Sequence, residues 1–195
     1  MKLIIISGFL GSGKTTLLLH IAKKLTLSSQ KIAIIENEIG EIGIDGDYLN
    51  LEGLQVQELF GGCICCTLSV GLIETLENVE KLYQPDIVIL EATGVARPGD
   101  IIDNVRKYRE TIKDMYNVNV VDATRYEMLM EIMTPLMNAQ IGIANIIAVN
   151  KIDKVESEKV DQVVRDISAM NPQGKVFAVS AEDGININFL LEDLL

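Results

Sequence analysis

Short β-branched runs alternate along the whole chain with longer segments of helical period, those segments carry one apolar stripe each, and no repeat or low-complexity linker interrupts them. Together these features predict one α/β layer structure, a mostly parallel sheet covered by helices on both faces as a three-layer sandwich. Strands are expected at residues 2–7, 31–36, 86–91, 117–122, 145–150 and 175–180, with a short one near 55–59. The helix opening at Lys14 places Leu17, Leu18, Ile21, Ala22 and Leu25 on one stripe, and the helix after Cys66 does so with Leu68, Leu72, Leu76, Val79 and Tyr83. Residues 185–195 read as a last helix. The least regular stretch, 37–62, is glycine-rich and acidic, and a loop of that length is usually functional.

Charge and size narrow the function classes. Seventeen Lys and Arg against 28 Asp and Glu leave a net charge of −11, so neither nucleic acid nor an anionic membrane is expected as a partner. With 48% hydrophobic and 23% charged residues, the composition is that of a compact domain. Its 195 residues fit a single domain spanning 1–195. The opening apolar run from Leu3 to Ile6 is broken by Ser7 and Gly8, too short for a secretion signal or a membrane span, and a cytoplasmic location is the expectation.

Gly8-Phe-Leu-Gly-Ser-Gly13-Lys14-Thr15 fits G-x-x-x-x-G-K-[ST] directly after a strand and at the start of an amphipathic helix, which is the context a P-loop NTPase requires. Gly8, Gly11 and Gly13 let the backbone wrap a phosphate so that successive N–H groups and the helix N-terminus face the anion. Ser12 and Thr16 complete the binding segment, Lys14 would bridge the β- and γ-phosphates, and the Thr15 hydroxyl would ligate Mg²⁺. Asn150-Lys151-Ile-Asp153 follows an apolar strand at the same sheet edge. There a carboxylate at Asp153 can accept the ring N–H and the exocyclic amine of guanine, which selects GTP and GDP over adenine nucleotides. Ser180-Ala181-Glu-Asp-Gly184, past another strand, supplies a backbone N–H near Ala181 for the guanine carbonyl. Glu91 ends a buried strand and suits a Walker-B carboxylate, and the Gly94 N–H can sense the γ-phosphate. Arg97 reads as a surface arginine before a transition-state one.

The three cysteines, Cys63, Cys65 and Cys66, fall within one tetrapeptide after two glycines. Three adjacent thiolates favour Zn²⁺ and other soft or borderline transition metals over a disulfide framework. A closed zinc site needs four ligands, so a further donor is sought in the acidic loop, among Glu36, Glu38 and Glu41, while Asp45 and Asp47 there are candidates for Mg²⁺. The lone histidine, His20, lies off its helix stripe beside Lys23 and Lys24 and reads as a solvated surface residue.

Gly8-Phe-Leu-Gly-Ser-Gly-Lys-Thr-Thr16, Glu36-Asn-Glu-Ile-Gly-Glu41-Ile-Gly-Ile-Asp45, Gly61-Gly-Cys-Ile-Cys-Cys66 and Glu91-Ala-Thr-Gly-Val-Ala-Arg-Pro98 occur in that order. The combination resembles the CobW-type P-loop GTPases, relatives of the nickel-delivery GTPases HypB and UreG and of the cobalamin chaperone MeaB. The resemblance implies a GTP-hydrolysing metallochaperone in which Cys63, Cys65 and Cys66, with Glu36 and Glu41, bind Zn²⁺, Co²⁺ or Ni²⁺ and GTP controls release to a metal-requiring client protein. Family members usually continue into a separate C-terminal domain, and the sequence is expected to hold the GTPase domain alone. Client recognition then falls to a nucleotide-dependent homodimer, as in related GTPases, or to a partner protein. Three other readings stay open: a GTP-controlled association switch with a structural metal, a chaperone of a cobalamin or corrinoid enzyme, and a small-molecule kinase, the last disfavoured by the base-reading pair.

Overall fold

The computed structural model describes residues 1–27, 30–36, 70–107, 112 and 114–195. Six strands form one sheet in the order β2-β3-β1-β4-β5-β6, with every neighbouring pair parallel. They are β1 (Lys2–Ser7), β2 (Ile32–Glu36), β3 (Ile87–Glu91), β4 (Asp114–Asp122), β5 (Ile146–Asn150) and β6 (Lys175–Ala178). The helices among the described residues are α1 (Lys14–Leu27), α2 (Val70–Tyr83), α3 (Pro98–Arg106), α4 (Tyr126–Ile132), α5 (Thr134–Ile141), α6 (Ser157–Met170) and α7 (Ile187–Leu194). None of them is long and apolar enough to cross a membrane.

The continuous apolar runs of β1, β3 and β5 are buried throughout, as a sheet covered on both faces demands. Ile4, Ile6, Val118, Val120, Ile146 and Ala148 face α1 and α7 on one side. On the other, Leu3, Ile5, Val88 and Leu90 meet α2 and α3, and Val121, Ile147 and Val149 meet α4, α5 and α6. Between those two clusters runs a buried polar seam. Ser7 Oγ donates to Asn117 Oδ1 at 3.0 Å and accepts from Asn119 Nδ2 at 3.1 Å.

Some boundaries differ from the sequence expectation. β4 starts at Asp114 instead of Asn117, because Asp114, Met115 and Tyr116 pair with Lys2, Leu3 and Ile4 although their outer faces stay wet. Lys2 lies over the Tyr116 ring, 4.4 Å from its centre, and caps that end of the pair. β6 stops at Ala178, since Ser180 turns to form an antiparallel bridge with Ile185. Tyr83, expected on the packed stripe of α2, is 41% exposed, while Leu72, Leu76 and Val79 are buried. The strand expected near 55–59 lies outside the described residues.

Candidate functional site: the carboxyl edge of the sheet

The loop between β1 and α1 lies over the β1–β4 border, where strand connections leave in opposite directions and α/β sheets bind ligands. Gly8 has φ +135°, and a side chain there would collide with the Val120 carbonyl of β4. Three successive carbonyls of the loop each accept a side-chain donor. Leu10 receives Arg125 Nη2 at 2.7 Å, Gly11 receives Lys151 Nζ at 2.6 Å, and Ser12 receives Asn150 Nδ2 at 2.8 Å. Peptide planarity turns the Gly11 and Gly13 N–H groups away from those donors, toward the concave side where an anion would sit.

Two of the three donors share one anchor. The buried Asp122 carboxylate, at the end of β4, receives Lys151 Nζ at 2.7 Å and Arg125 Nε at 2.9 Å through one oxygen, and Thr124 through the other. Burial pushes its pKa up, but the Lys151 and Thr124 hydrogen bonds and the Lys151 charge outweigh that and hold it below the ordinary carboxylate value. Lys151 itself takes a left-handed backbone, φ +65°, which bends the chain back over the phosphate loop.

Glu91 ends β3 and is 3% exposed, so it is no solvated edge residue. Thr15 Oγ1 lies 3.1 Å from both of its oxygens, and Lys14 Nζ lies 3.8 Å from Oε1 and 3.4 Å from the Phe9 carbonyl. This is a set of hard oxygen donors beside a buried ammonium, a chemistry that suits Mg²⁺ and phosphate together. The loop after β3 turns at Thr93, whose carbonyl accepts the Ala96 N–H. Gln140 of α5, 1% exposed, donates to the Ala96 carbonyl at 2.9 Å and the Gly94 carbonyl at 3.3 Å. A Cβ on Gly94 would stand 2.5 Å from the Leu10 N, so this loop rests directly on the phosphate loop. Arg97 is exposed at the start of α3 and carries no side-chain cap bond.

A cavity of about 410 Å³ opens at this edge, within the range of about 300–1,000 Å³ usual for small-molecule sites. Gly13, Lys14, Thr15, Glu91, Asp153 and Ala181 line it, joined by Thr16 and Lys151. The phosphate-side and base-side candidates therefore converge on one space. Asp153 sits exposed in a single 3₁₀ turn at its rim. Ser180 is buried and accepts the Asp183 N–H at 3.2 Å. The Ala181 N–H donates to Asn150 Oδ1 at 2.9 Å. His20, expected to be a solvated surface residue, is half-buried, and its ring Nε2 donates to the Ala181 carbonyl at 2.8 Å.

Of the metal candidates, Cys63, Cys65, Cys66, Glu38 and Glu41 lie outside the described residues, as do Asp45 and Asp47. The backbone of Glu36 closes β2 and pairs in register with Glu91 of β3. Among the described residues no group of three or more His, Cys, Asp or Glu is placed to hold a metal ion. Asp122, Arg125 and Gln140 escaped the sequence reading. Asp122 did carry a signal, a carboxylate ending an apolar strand like Glu91, but nothing local marks Arg125 or Gln140 as reaching loops far away in sequence.

The model of the CobW/HypB/UreG nucleotide-binding domain matches residues 2–178. The chain belongs to that family. The zinc chaperone YjiA of Escherichia coli (strain K12) is 34% identical over 97% of the chain and 62% of its own length. The zinc-regulated GTPase metalloprotein activator 1 of Schizosaccharomyces pombe is 28% identical over 88% of the chain and 44% of its own length. The chain thus spans about half the length of such relatives. The crystal structure of Zn(II)-bound YjiA GTPase from E. coli superposes with TM-score 0.66 at 29% identity, over 92% of the chain and 57% of that one. Nickel-bound HypB from Helicobacter pylori gives 0.70 at 19% identity, over all of the chain and 85% of that one, and shares the fold. The family resemblance read from the sequence holds, as does its α/β three-layer fold.

Proposed function

We propose that the CobW-family domain hydrolyses GTP and couples the nucleotide state to a transition metal held by Cys63, Cys65 and Cys66 with Glu36 and Glu41, for transfer to a metal-requiring client. The register of Glu36 with Glu91 carries this reading. Neighbouring parallel strands lie about 4.8 Å apart, so a donor of the acidic loop starts one strand from the carboxylate that faces Lys14 and Thr15. The two relatives named as zinc proteins support the choice of cargo, with Co²⁺ and Ni²⁺ as alternatives.

On this reading GTP enters with its phosphates in the Gly8 to Gly13 loop, and Lys14 exchanges the Glu91 carboxylate for β- and γ-phosphate oxygens. Thr15 would ligate Mg²⁺ and Glu91 would orient its bound water, and the ion would neutralise charge developing on the phosphates. Gly94 would report the γ-phosphate through its N–H, and movement there and in the acidic loop would change metal affinity. Asp153, with the 180–184 loop, reads guanine.

A second reading, a GTP-controlled association switch with a structural metal, draws support from Leu10 and Val95, 74% and 63% exposed beside the phosphate loop. Such apolar side chains suit a second copy of the chain or a client surface, and a cobalamin or corrinoid enzyme is the narrower candidate client. An anaerobic Zn²⁺ and Co²⁺ titration with no nucleotide, with GDP and with a non-hydrolysable GTP analogue plus Mg²⁺ decides between them. A thiolate charge-transfer band whose midpoint moves with nucleotide is the expected result. A nucleotide-indifferent site selects the association switch, and absence of both metal binding and phosphate release defeats the proposal.

A further inference from the structure

His20 is the one histidine of the chain and sits on α1, the helix that opens at Lys14. Its ring is half-buried, and its Nε2 lies 2.8 Å from the Ala181 carbonyl oxygen. A carbonyl can only accept, so Nε2 carries the hydrogen. Ala181 is held from its other side too, by its N–H on Asn150 Oδ1 at 2.9 Å. Asn150 in turn donates to the Ser12 carbonyl at 2.8 Å. The circuit closes on itself: Ser12, Asn150, Ala181, His20, then back along α1 through Lys14 and Gly13 to Ser12. Base-side loop, strand end and phosphate loop are fastened in one ring, and His20 is its link outside the recognised nucleotide motifs.

We infer that His20 is a positioning residue for purine recognition, which fixes the 181–182 peptide so that the Glu182 N–H meets the 6-carbonyl of guanine. The inference rests on the guanine reading above and makes it more specific. In a trans peptide the carbonyl and the following N–H point in opposite directions. With the Ala181 carbonyl turned to His20 on α1, the Glu182 N–H faces the other way. Ala181 and Glu182 both line the cavity, and His20 does not. Among the described residues no protein acceptor meets the Glu182 N–H, whereas the Ala181 N–H is engaged by Asn150. The turn itself restrains the 181–182 peptide little. Its other bonds are the Ser180–Ile185 bridge, the Asp183 N–H to Ser180 Oγ at 3.2 Å and Ser180 Oγ to the Asp183 carboxylate at 3.3 Å, none of them on the 181–182 peptide, and it ends at Gly184 with φ +72°. Removal of the imidazole leaves that peptide able to rotate, and the donor for the base is lost with it.

Binding of GDP, 6-thio-GDP, IDP and ADP to the wild-type chain, His20→Ala and His20→Gln provides the test, with thermal midpoints recorded for each. 6-Thio-GDP keeps the ring N–H and amine that Asp153 reads but offers sulfur, a weak acceptor, at position 6. His20→Ala is expected to weaken GDP about tenfold, the scale of one well-aligned hydrogen bond, while 6-thio-GDP changes much less. The preference for GDP over IDP, which reports the 2-amine at Asp153, stays. Glutamine retains an N–H donor and recovers most of the GDP affinity. An unchanged ratio of GDP to 6-thio-GDP in His20→Ala, or a parallel loss of both, overturns the inference and leaves guanine reading intact. A wild-type chain indifferent to GDP against ADP overturns the guanine reading instead. If His20→Ala fails to fold, the single imidazole of the wild type is read directly by ¹⁵N NMR. An Nε2-protonated ring whose shifts respond to GDP and not to inorganic phosphate supports the assignment, and averaged ring nitrogens indifferent to GDP reject it.

Discussion

The two loops that meet over the centre of the sheet are held in different ways. The phosphate loop has three consecutive carbonyls tied by three side chains, two of which hang on the buried Asp122. The loop after β3 has two carbonyls tied by the single neutral amide of Gln140. One loop is built before any ligand arrives, and its binding groups need no ordering when phosphate enters. The other rests on the first at Gly94 and is secured by hydrogen bonds from one side chain. On the proposed function, preorganisation belongs to the loop that would hold the phosphates and adjustability to the loop that would report the γ-phosphate.

Glycine to alanine substitutions in each loop give the largest contrast. At Gly8 the Cβ meets the Val120 carbonyl of a buried strand at φ +135°, so neither partner can yield. Gly8→Ala is expected to cost about 3 kcal/mol or more, lowering the chemical-denaturation midpoint and abolishing GDP binding together. At Gly94 the obstacle is the Leu10 backbone across a loop contact. Gly94→Ala should displace the second loop, leave stability within about 1 kcal/mol and impair GTP hydrolysis far more than GDP affinity. Equal stability losses in the two variants would erase the distinction.

The same contrast explains what could be read from sequence. The phosphate loop is legible because its chemistry is local: glycines, lysine and threonine at fixed offsets between a strand and a helix. Glu91 was legible as a carboxylate ending an apolar strand. Its tertiary supports were not, because Arg125 lies 115 residues from Leu10 and Gln140 lies 44 from Ala96. His20 was misread for the same reason, since helical periodicity places it off the stripe without revealing that the 180–184 loop folds across that face. β4 began three residues early because strand pairing with β1 overrides a half-polar pattern.

Removing the shared anchor tests the built loop next. Asp122→Ala strands Lys151 and Arg125 beside the phosphate loop. Both are partly exposed, at 27% and 38%, so water blunts the loss, and about 2 kcal/mol is expected. That corresponds to a fall of roughly 4–8 °C in thermal midpoint for a chain of this size. The isosteric Asp122→Asn adds a pH signature. The carboxyl pKa in the folded state is held below its unfolded value of about 3.9. Its stabilising contribution is therefore complete above that value and is lost as pH falls through the folded one. The asparagine variant should show a shallower decline of stability below about pH 4, and an unchanged acid limb would mean the carboxylate is not the anchor.

Gln140 is the corresponding test of the adjustable loop. Gln140→Leu keeps the volume in a site that is 1% exposed but leaves the Gly94 and Ala96 carbonyls without their donor. GTP turnover is expected to fall about tenfold, the worth of roughly 1.4 kcal/mol in a barrier, while GDP affinity holds within about twofold. Stability also declines with two part-buried acceptors unmet, so the decisive quantity is the ratio of turnover to GDP affinity, which a merely structural role would not change.

Arg125→Gln should have the smallest effect and the sharpest sign. It withdraws one of three ties from the phosphate loop while Lys151 keeps Asp122 company and Asn150 still holds Ser12. On the proposed binding mode the tie acts on backbone that contacts phosphate in every nucleotide state, so GTP and GDP should weaken together by about two- to fivefold, the worth of a partly exposed hydrogen bond. Maximal turnover should stay as it is, since an interaction made equally with ground state and transition state moves KM and not kcat. A fall in kcat at constant KM would instead place Arg125 among groups that respond to the γ-phosphate, and the boundary between the built and the adjustable loop would have to be redrawn through Leu10.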